Sequence, residues 1–104
     1  LDGKFHGVYA KDVLRPAAVA VHGDLAVAGE IKGRATLYDK AGKVVARLGH
    51  NTAPGETATN RLPPAKWRPG FFSAPHGVAF NNVGDLFVAE YTVFGRIHRF
   101  NLKK

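Results

Sequence analysis

The chain has 104 residues, the size of one small domain, and 45% of them are hydrophobic, which excludes an intrinsically disordered protein. A net charge of +7 comes from 15 Lys and Arg against 8 Asp and Glu, but these charges are scattered. Solvated turns and a basic tail are therefore favoured, and a nucleic-acid partner is not expected. No apolar run is long enough to span a bilayer, and the absence of Cys excludes disulfides and thiolate metal sites.

Strand patterns follow one another from the start of the chain. Residues 4–10 alternate loosely after an Asp-Gly turn signal, so we predict the outer strand of a preceding sheet within 1–10. Residues 15–49 then hold short apolar or alternating runs that are separated by turn residues. They predict one complete four-stranded antiparallel meander, with strands at 17–21, 25–28, 34–38 and 43–48.

An irregular insertion follows at residues 50–73 and holds four of the six prolines. Its Pro63-Pro64 pair and the Arg68-Pro69-Gly70 segment oppose both helix and sheet. A loop of this length is usually functional or serves as a structured cover. Trp67, the only Trp, is interpreted as an anchor that fixes the insertion to the sheets, with direct ligand contact as the alternative.

Residues 74–104 predict a second sheet of three strands, at 76–80, 85–90 and 96–100, followed by the basic tail. The runs LAVA and LFVA are apolar on both faces, which suits a sheet that is covered on both sides. No segment shows a sustained helical period.

The chain repeats itself, because residues 15–39 align with residues 74–101 at almost every strand-like position. Identical residues include the Pro-x-x-Val-Ala start, the Gly-Asp-Leu-x-Val-Ala strand and a Gly-Arg pair. Such a repeat indicates an array in which each copy needs neighbours to bury its faces. We expect two sheets packed face to face, with buried apolar residues at Val19, Leu25, Val27, Val78, Leu86 and Val88.

The second copy carries a family resemblance. The sequence PHGVAF, then GDLFVAE, then GRIHRF resembles the NHL repeat, well over residues 74–101 and moderately over 15–48. The 42–49 segment and the Pro-rich insertion are similar to the C-terminal end of bacterial NHL proteins that resemble peptidylglycine α-amidating lyases. The first copy departs from the pattern, because Gly29 stands where the strand-end acid is expected, unless Glu30 takes that place by a one-residue shift.

The resemblance implies an all-β fold, namely about two four-stranded meanders that are a fragment of a six-bladed β-propeller. Propellers close with about four to eight blades, so the expected partners are the remaining blades or other copies of the chain. The resemblance also implies an extracytoplasmic location, either periplasmic or secreted.

His76 is the candidate metal ligand, because histidines at this place in alternate blades of the amidating lyases bind a catalytic zinc. Ala17 stands at the equivalent place in the first copy, which fits the alternation. Gly77 follows where those lyases carry an acidic residue, and the alternative is a histidine that only caps a strand end. The other four histidines are interpreted as solvated or packed side chains.

Three further residues are singled out by their places in the NHL pattern. Glu90 and Arg96 stand at the strand-end acid and the strand-start Arg, which predicts a structural ion pair. Tyr91 is a candidate for ligand contact at the channel mouth. Catalytic residues are not assigned, because the only Ser, Ser73, has no triad partners that sequence can identify.

Two functions follow from this reading. The first is a binding platform for a protein, glycan or other ligand, with specificity carried by loops at one face. The alternative is a metal-dependent enzyme similar to the peptidyl-α-hydroxyglycine α-amidating lyases, active only in the full propeller, with zinc held by His76 and ligands from other blades.

Overall fold

A computed structural model describes residues 2–101, and within them the chain forms two open antiparallel sheets and no closed barrel. The first sheet has the strand order β1-β2-β3-β4 and the second β5-β6-β7. The bounds are β1 Pro16–His22, β2 Leu25–Glu30, β3 Arg34–Tyr38, β4 Val44–Leu48, β5 Pro75–Phe80, β6 Leu86–Glu90 and β7 Arg96–Phe100. The all-β fold class and the seven strands predicted after residue 15 are confirmed, with bounds that differ by no more than two residues.

Residues 4–10 lie outside any strand and are exposed except for Ala10, so the outer strand of a preceding sheet stays a prediction. That strand needed a preceding sheet to pair with, and the described residues contain none. Instead, the Tyr9 ring packs edge to face on Tyr38, with ring centroids 5.8 Å apart, and its hydroxyl donates to the Asp39 carbonyl. Leu1 of the 1–10 segment and the basic tail at 102–104 lie outside the described residues.

Equivalent β-bulges fix the register of both sheets. In the first sheet, Pro16 pairs with Glu30 and Ala18 with Gly29, so that Ala17 is the extra residue. In the second sheet, His76 is the extra residue, because Pro75 pairs with Glu90 and Gly77 with Ala89. Glu30 therefore takes the place of Glu90, and the one-residue shift that the sequence left open is the observed register. The sequence alignment matched Leu25 with Leu86 through the shared Gly-Asp-Leu residues, and it is therefore wrong by one residue at this strand.

The shift matters because a change of one residue moves every side chain of a strand to the opposite face. Since Leu86 is equivalent to Ala26, the residue equivalent to the buried Val27 is Phe87, on the outer face of the second sheet. The two copies thus bury different faces of the same repeat.

The core lies between the two sheets. Its fully buried members are Val27, Ala35, Phe72, Leu86 and Val88. Phe72 comes from the insertion, whose only regular element within the described residues is a 3-10 turn at Pro64–Lys66. Its ring reaches Phe100 at a centroid distance of 5.8 Å and crowds the backbone of Gly49, where a Cβ would lie 2.7 Å from ring atoms.

The burial predictions are met in part. Val27, Leu86 and Val88 are buried as predicted, whereas Leu25 and Val78 are half-buried. The prediction for Val19 is wrong, because its side chain is 70% exposed. Val19 lies on the face of the first sheet that points away from the second sheet.

Phe72 anchors the insertion in the core, so truncating it should be costly. Phe72→Ala should lower the free energy of unfolding by about 3–5 kcal/mol, because it empties a closely packed site. Phe5→Ala is the matched control, since Phe5 is 81% exposed, and it should change stability by less than about 0.5 kcal/mol. Urea unfolding of both variants at one protein concentration makes the comparison. Equal costs would show that Phe72 is not part of the core.

Candidate functional site

A buried carboxylate lies at the end of the first sheet. Glu30 is fully buried and accepts hydrogen bonds from Arg34 Nη2 at 2.7 Å and from Arg34 Nε at 3.0 Å. It also accepts from Thr36 Oγ1 at 2.6 Å and from the Leu14 backbone N–H at 2.8 Å. We call this cluster of Glu30, Arg34, Thr36 and the Leu14 amide the first hub.

The second sheet builds the same arrangement. The Glu90 carboxylate accepts from the backbone N–H groups of Ser73 and Ala74, the latter at 2.9 Å. Arg96 Nε donates to it, and His98 Nε2 lies 2.7 Å from its Oε2. The Glu90 side chain is inaccessible to solvent and that of Arg96 is 14% exposed. These five residues form the second hub.

Each hub fastens the segment that precedes its sheet. Arg34 Nη2 donates to the Asp12 carbonyl, and Arg96 Nη2 donates to the Phe71 carbonyl, both at 3.0 Å. Asp12 and Phe71 stand at the same place relative to their sheets, since each lies four residues before the proline that opens the first strand. A buried carboxylate is tolerated only when it is paired and fully hydrogen-bonded, and both hubs meet that condition.

Electrostatics support a structural role for Glu90. Burial alone would raise its pKa, but hydrogen bonds from His98, Arg96, Ser73 and Ala74 prevail and lower the pKa from its usual 4.5 to about 2. The carboxylate is therefore charged at neutral pH and has no proton to donate. The predicted ion pair of Glu90 with Arg96 is formed in the structure, and it is buried rather than exposed.

His98 and Thr36 were not singled out by the sequence, yet both belong to the hubs. They occupy equivalent places, each two residues after the hub arginine, and each contacts the hub carboxylate. The signal that could have identified them is the shared spacing from Arg34 and Arg96. This equivalence is not apparent from the sequence alone, because a threonine and a histidine do not align by chemical type.

The insertion brings aromatic and basic side chains together beside the second hub. Trp67 is half-buried, its Nε1 donates to the Leu62 carbonyl at 3.1 Å, and its ring lies 6.5 Å from that of Phe94. The Arg96 guanidinium lies 4.5 Å from the Trp67 ring centroid, a cation–π contact. Trp67 therefore anchors the insertion against the β6–β7 turn, as the favoured interpretation predicts.

Around this anchor, several large side chains remain accessible to solvent. Phe71 lies under the Arg68 guanidinium at 4.3 Å, and the β6–β7 turn is tied to the insertion by a hydrogen bond from Val93 N to the Asn60 carbonyl at 2.9 Å. We define the aromatic–basic surface as the exposed or half-buried residues Arg61, Lys66, Trp67, Arg68, Phe71, Tyr91 and Phe94.

His76 is exposed in the bulge of β5, and its ring lies 5.6 Å from that of Tyr91. Across residues 2–101, no group of three or more His, Cys, Asp or Glu side chains could hold a metal ion. His76 therefore offers one imidazole, and the side chains around it do not make a zinc site. Its assignment as a zinc ligand, and that of Tyr91 as a ligand contact, stay predictions.

No protein family model, curated protein or solved structure matches the chain. The only helical element within residues 2–101 is the 3-10 turn at Pro64–Lys66, so no membrane-spanning helix is found there.

The lowered pKa of Glu90 predicts a specific loss of stability in acid. A group whose pKa is depressed by folding stabilises the native state above its unfolded pKa, and this contribution disappears as the pH falls through the folded pKa. Glu90 should therefore contribute about 3 kcal/mol near pH 6 and lose that contribution between about pH 5 and pH 2.

Denaturant unfolding of the wild type and Glu90→Gln from pH 6 to pH 2 tests this contribution. The stability difference between the two proteins should shrink steadily toward pH 2. Asp12→Asn is the control, because the Asp12–Arg47 ion pair is exposed, and this variant should keep most of the wild-type pH dependence. A stability difference between wild type and Glu90→Gln that does not change with pH would contradict the assignment.

Proposed function

We propose that the chain is a pair of consecutive blades from a propeller-type repeat array and that it acts as a non-catalytic platform for binding protein. The antiparallel meanders, the equivalent bulges and the repeated hubs support the blade assignment. The resemblance of residues 74–101 to the NHL repeat supports it too, and implies a propeller of the six-bladed class.

The aromatic–basic surface is the observation that carries the platform proposal. Trp, Tyr, Phe and Arg are the residues enriched at the energetic centres of protein interfaces. Phe94 and Tyr91 are about half exposed or more, and both extend from a turn that the insertion holds in place. This surface is therefore ordered before a partner arrives, which lowers the entropic cost of binding.

The charge of the surface indicates the kind of partner. Arg68 pairs with Glu56 and Arg96 with Glu90, whereas Arg61 and Lys66 are exposed residues of the same insertion. The chain as a whole carries +7. An acidic protein segment that also carries apolar side chains would match both the charge and the rings.

The lyase alternative has less support on this chain. The first sheet has Ala17 where the second has His76, which agrees with metal ligands in alternate blades. The lyase alternative requires at least two further ligands from outside residues 2–101, because a single exposed imidazole cannot hold zinc for catalysis. It stays a prediction that rests on the resemblance.

The platform proposal is tested by selecting a random peptide library on the immobilised chain. Selected peptides should be rich in Asp and Glu, and synthetic copies should bind more weakly as salt rises. Phe94→Ala should weaken binding about tenfold or more, as expected for an interface centre. Phe5→Ala removes an exposed phenylalanine elsewhere and should have no effect. No enrichment, or equal binding by both variants, would overturn the proposal, as would capture of neutral oligosaccharides in place of peptides.

A further inference from the structure

Each sheet has two faces that the repeat makes equivalent. We call the face that carries the hub the leading face and the opposite one the trailing face. The leading face is made by Val19, Val21, Ala26 and Ala28 in the first sheet, and by the equivalent Val78, Phe80, Leu86 and Val88 in the second. The trailing face is made by Ala20, Val27, Gly29 and Ala35 in the first sheet, and by the equivalent Ala79, Phe87, Ala89 and Ile97 in the second.

Within the chain, the trailing face of the first sheet packs on the leading face of the second and forms the core. The approach is close, because a Cβ added to Gly29 would lie 3.0 Å from Val78 Cγ1. Two faces are left over, namely the leading face of the first sheet and the trailing face of the second. Both carry exposed apolar side chains, with Val19 70%, Val21 69% and Ile97 70% exposed. The part of the open leading face near Tyr38 is covered by the Tyr9 ring.

The two open faces are complementary in size. In the internal interface, a bulky leading face that contains Phe80 and Leu86 meets a trailing face of small residues such as Gly29 and Ala35. At the open faces the sizes are exchanged. The open leading face of the first sheet has Val21 and Ala26 where the leading face of the second sheet has Phe80 and Leu86. The open trailing face in turn carries Phe87 and Ile97 in place of Val27 and Ala35. Over these sheet positions the summed side-chain volume is thus roughly conserved, which favours close packing.

The charged group at the edge of the open trailing face does not oppose association. Arg99 is bonded to Asp85 Oδ2 at 2.8 Å and lies over the Phe87 ring at 5.5 Å from its centroid. An interface on this face would therefore not bury an unpaired charge.

We propose that a second copy of this chain docks the leading face of its first sheet on the trailing face of the second sheet, and so repeats the internal interface from head to tail. The two open faces lie on opposite sides of the molecule, so they meet only between copies. A head-to-tail contact generates a ring when its rotation closes. Since propellers close with about four to eight sheets, two to four copies should complete the ring.

Two single substitutions test the head-to-tail contact. Val19→Asp blocks the open leading face, and Ile97→Asp blocks the open trailing face. Both side chains are exposed in the chain, so each variant should fold. Sedimentation velocity should show an assembly of two to four copies for the wild type and a monomer for each variant alone.

Mixing the two variants provides the decisive result. Each has the face that the other lacks, so an equimolar mixture should form a 1:1 dimer that cannot grow further. Val83→Asp introduces the same charge at an exposed valine of the β5–β6 turn and should leave the wild-type assembly intact. The proposal is overturned by a wild-type monomer, by an assembly that survives Val19→Asp, or by a mixture that stays monomeric.

Discussion

The structure depends on one requirement, that a carboxylate buried at the end of a sheet must have all its hydrogen bonds made inside the protein. Glu30 and Glu90 meet it in the same way, with an arginine from the next strand and amides from the segment before the sheet. The second strand, the third strand and the preceding segment of each copy are thereby fixed to one another. Breaking one such pair would leave a buried charge without compensation, which is strongly destabilising.

The position of the hub also determines which surfaces the molecule presents. The segment held by the second hub includes Phe72, which fills the core, and Phe71, whose ring lies at the surface under Arg68. Arg96 serves both sides, since it bonds Glu90 in the interior and lies over Trp67 at the aromatic–basic surface. The order of the proposed binding surface is therefore a consequence of the buried ion pair. The open sheet faces follow from a different property, namely that two repeats have only one interface between them.

Much of the fold could be predicted from the sequence, because alternation and turn residues mark all seven observed strands. The register of β2 could not, since the identical Gly-Asp-Leu residues favour aligning Leu25 with Leu86, whereas the hub requires Glu30 to match Glu90. The strand expected at 4–10 is not formed within the described residues, because its pairing depends on a neighbouring sheet, which local pattern cannot supply. The contact of Trp67 with Phe94 could not be predicted from the sequence either. It joins an irregular insertion to a turn, and no spacing rule relates the two.

Amide hydrogen exchange measured residue by residue by NMR tests the central claim most directly, because the hubs bond particular backbone N–H groups. In Glu90→Gln, the Ser73 and Ala74 amides should lose protection by at least an order of magnitude while the Leu14 amide keeps it. In Glu30→Gln, the Leu14 amide should lose protection and the other two should keep theirs. Protection that is unchanged in both variants, or lost equally at all three amides in each, would contradict the claim that each carboxylate fastens its own preceding segment.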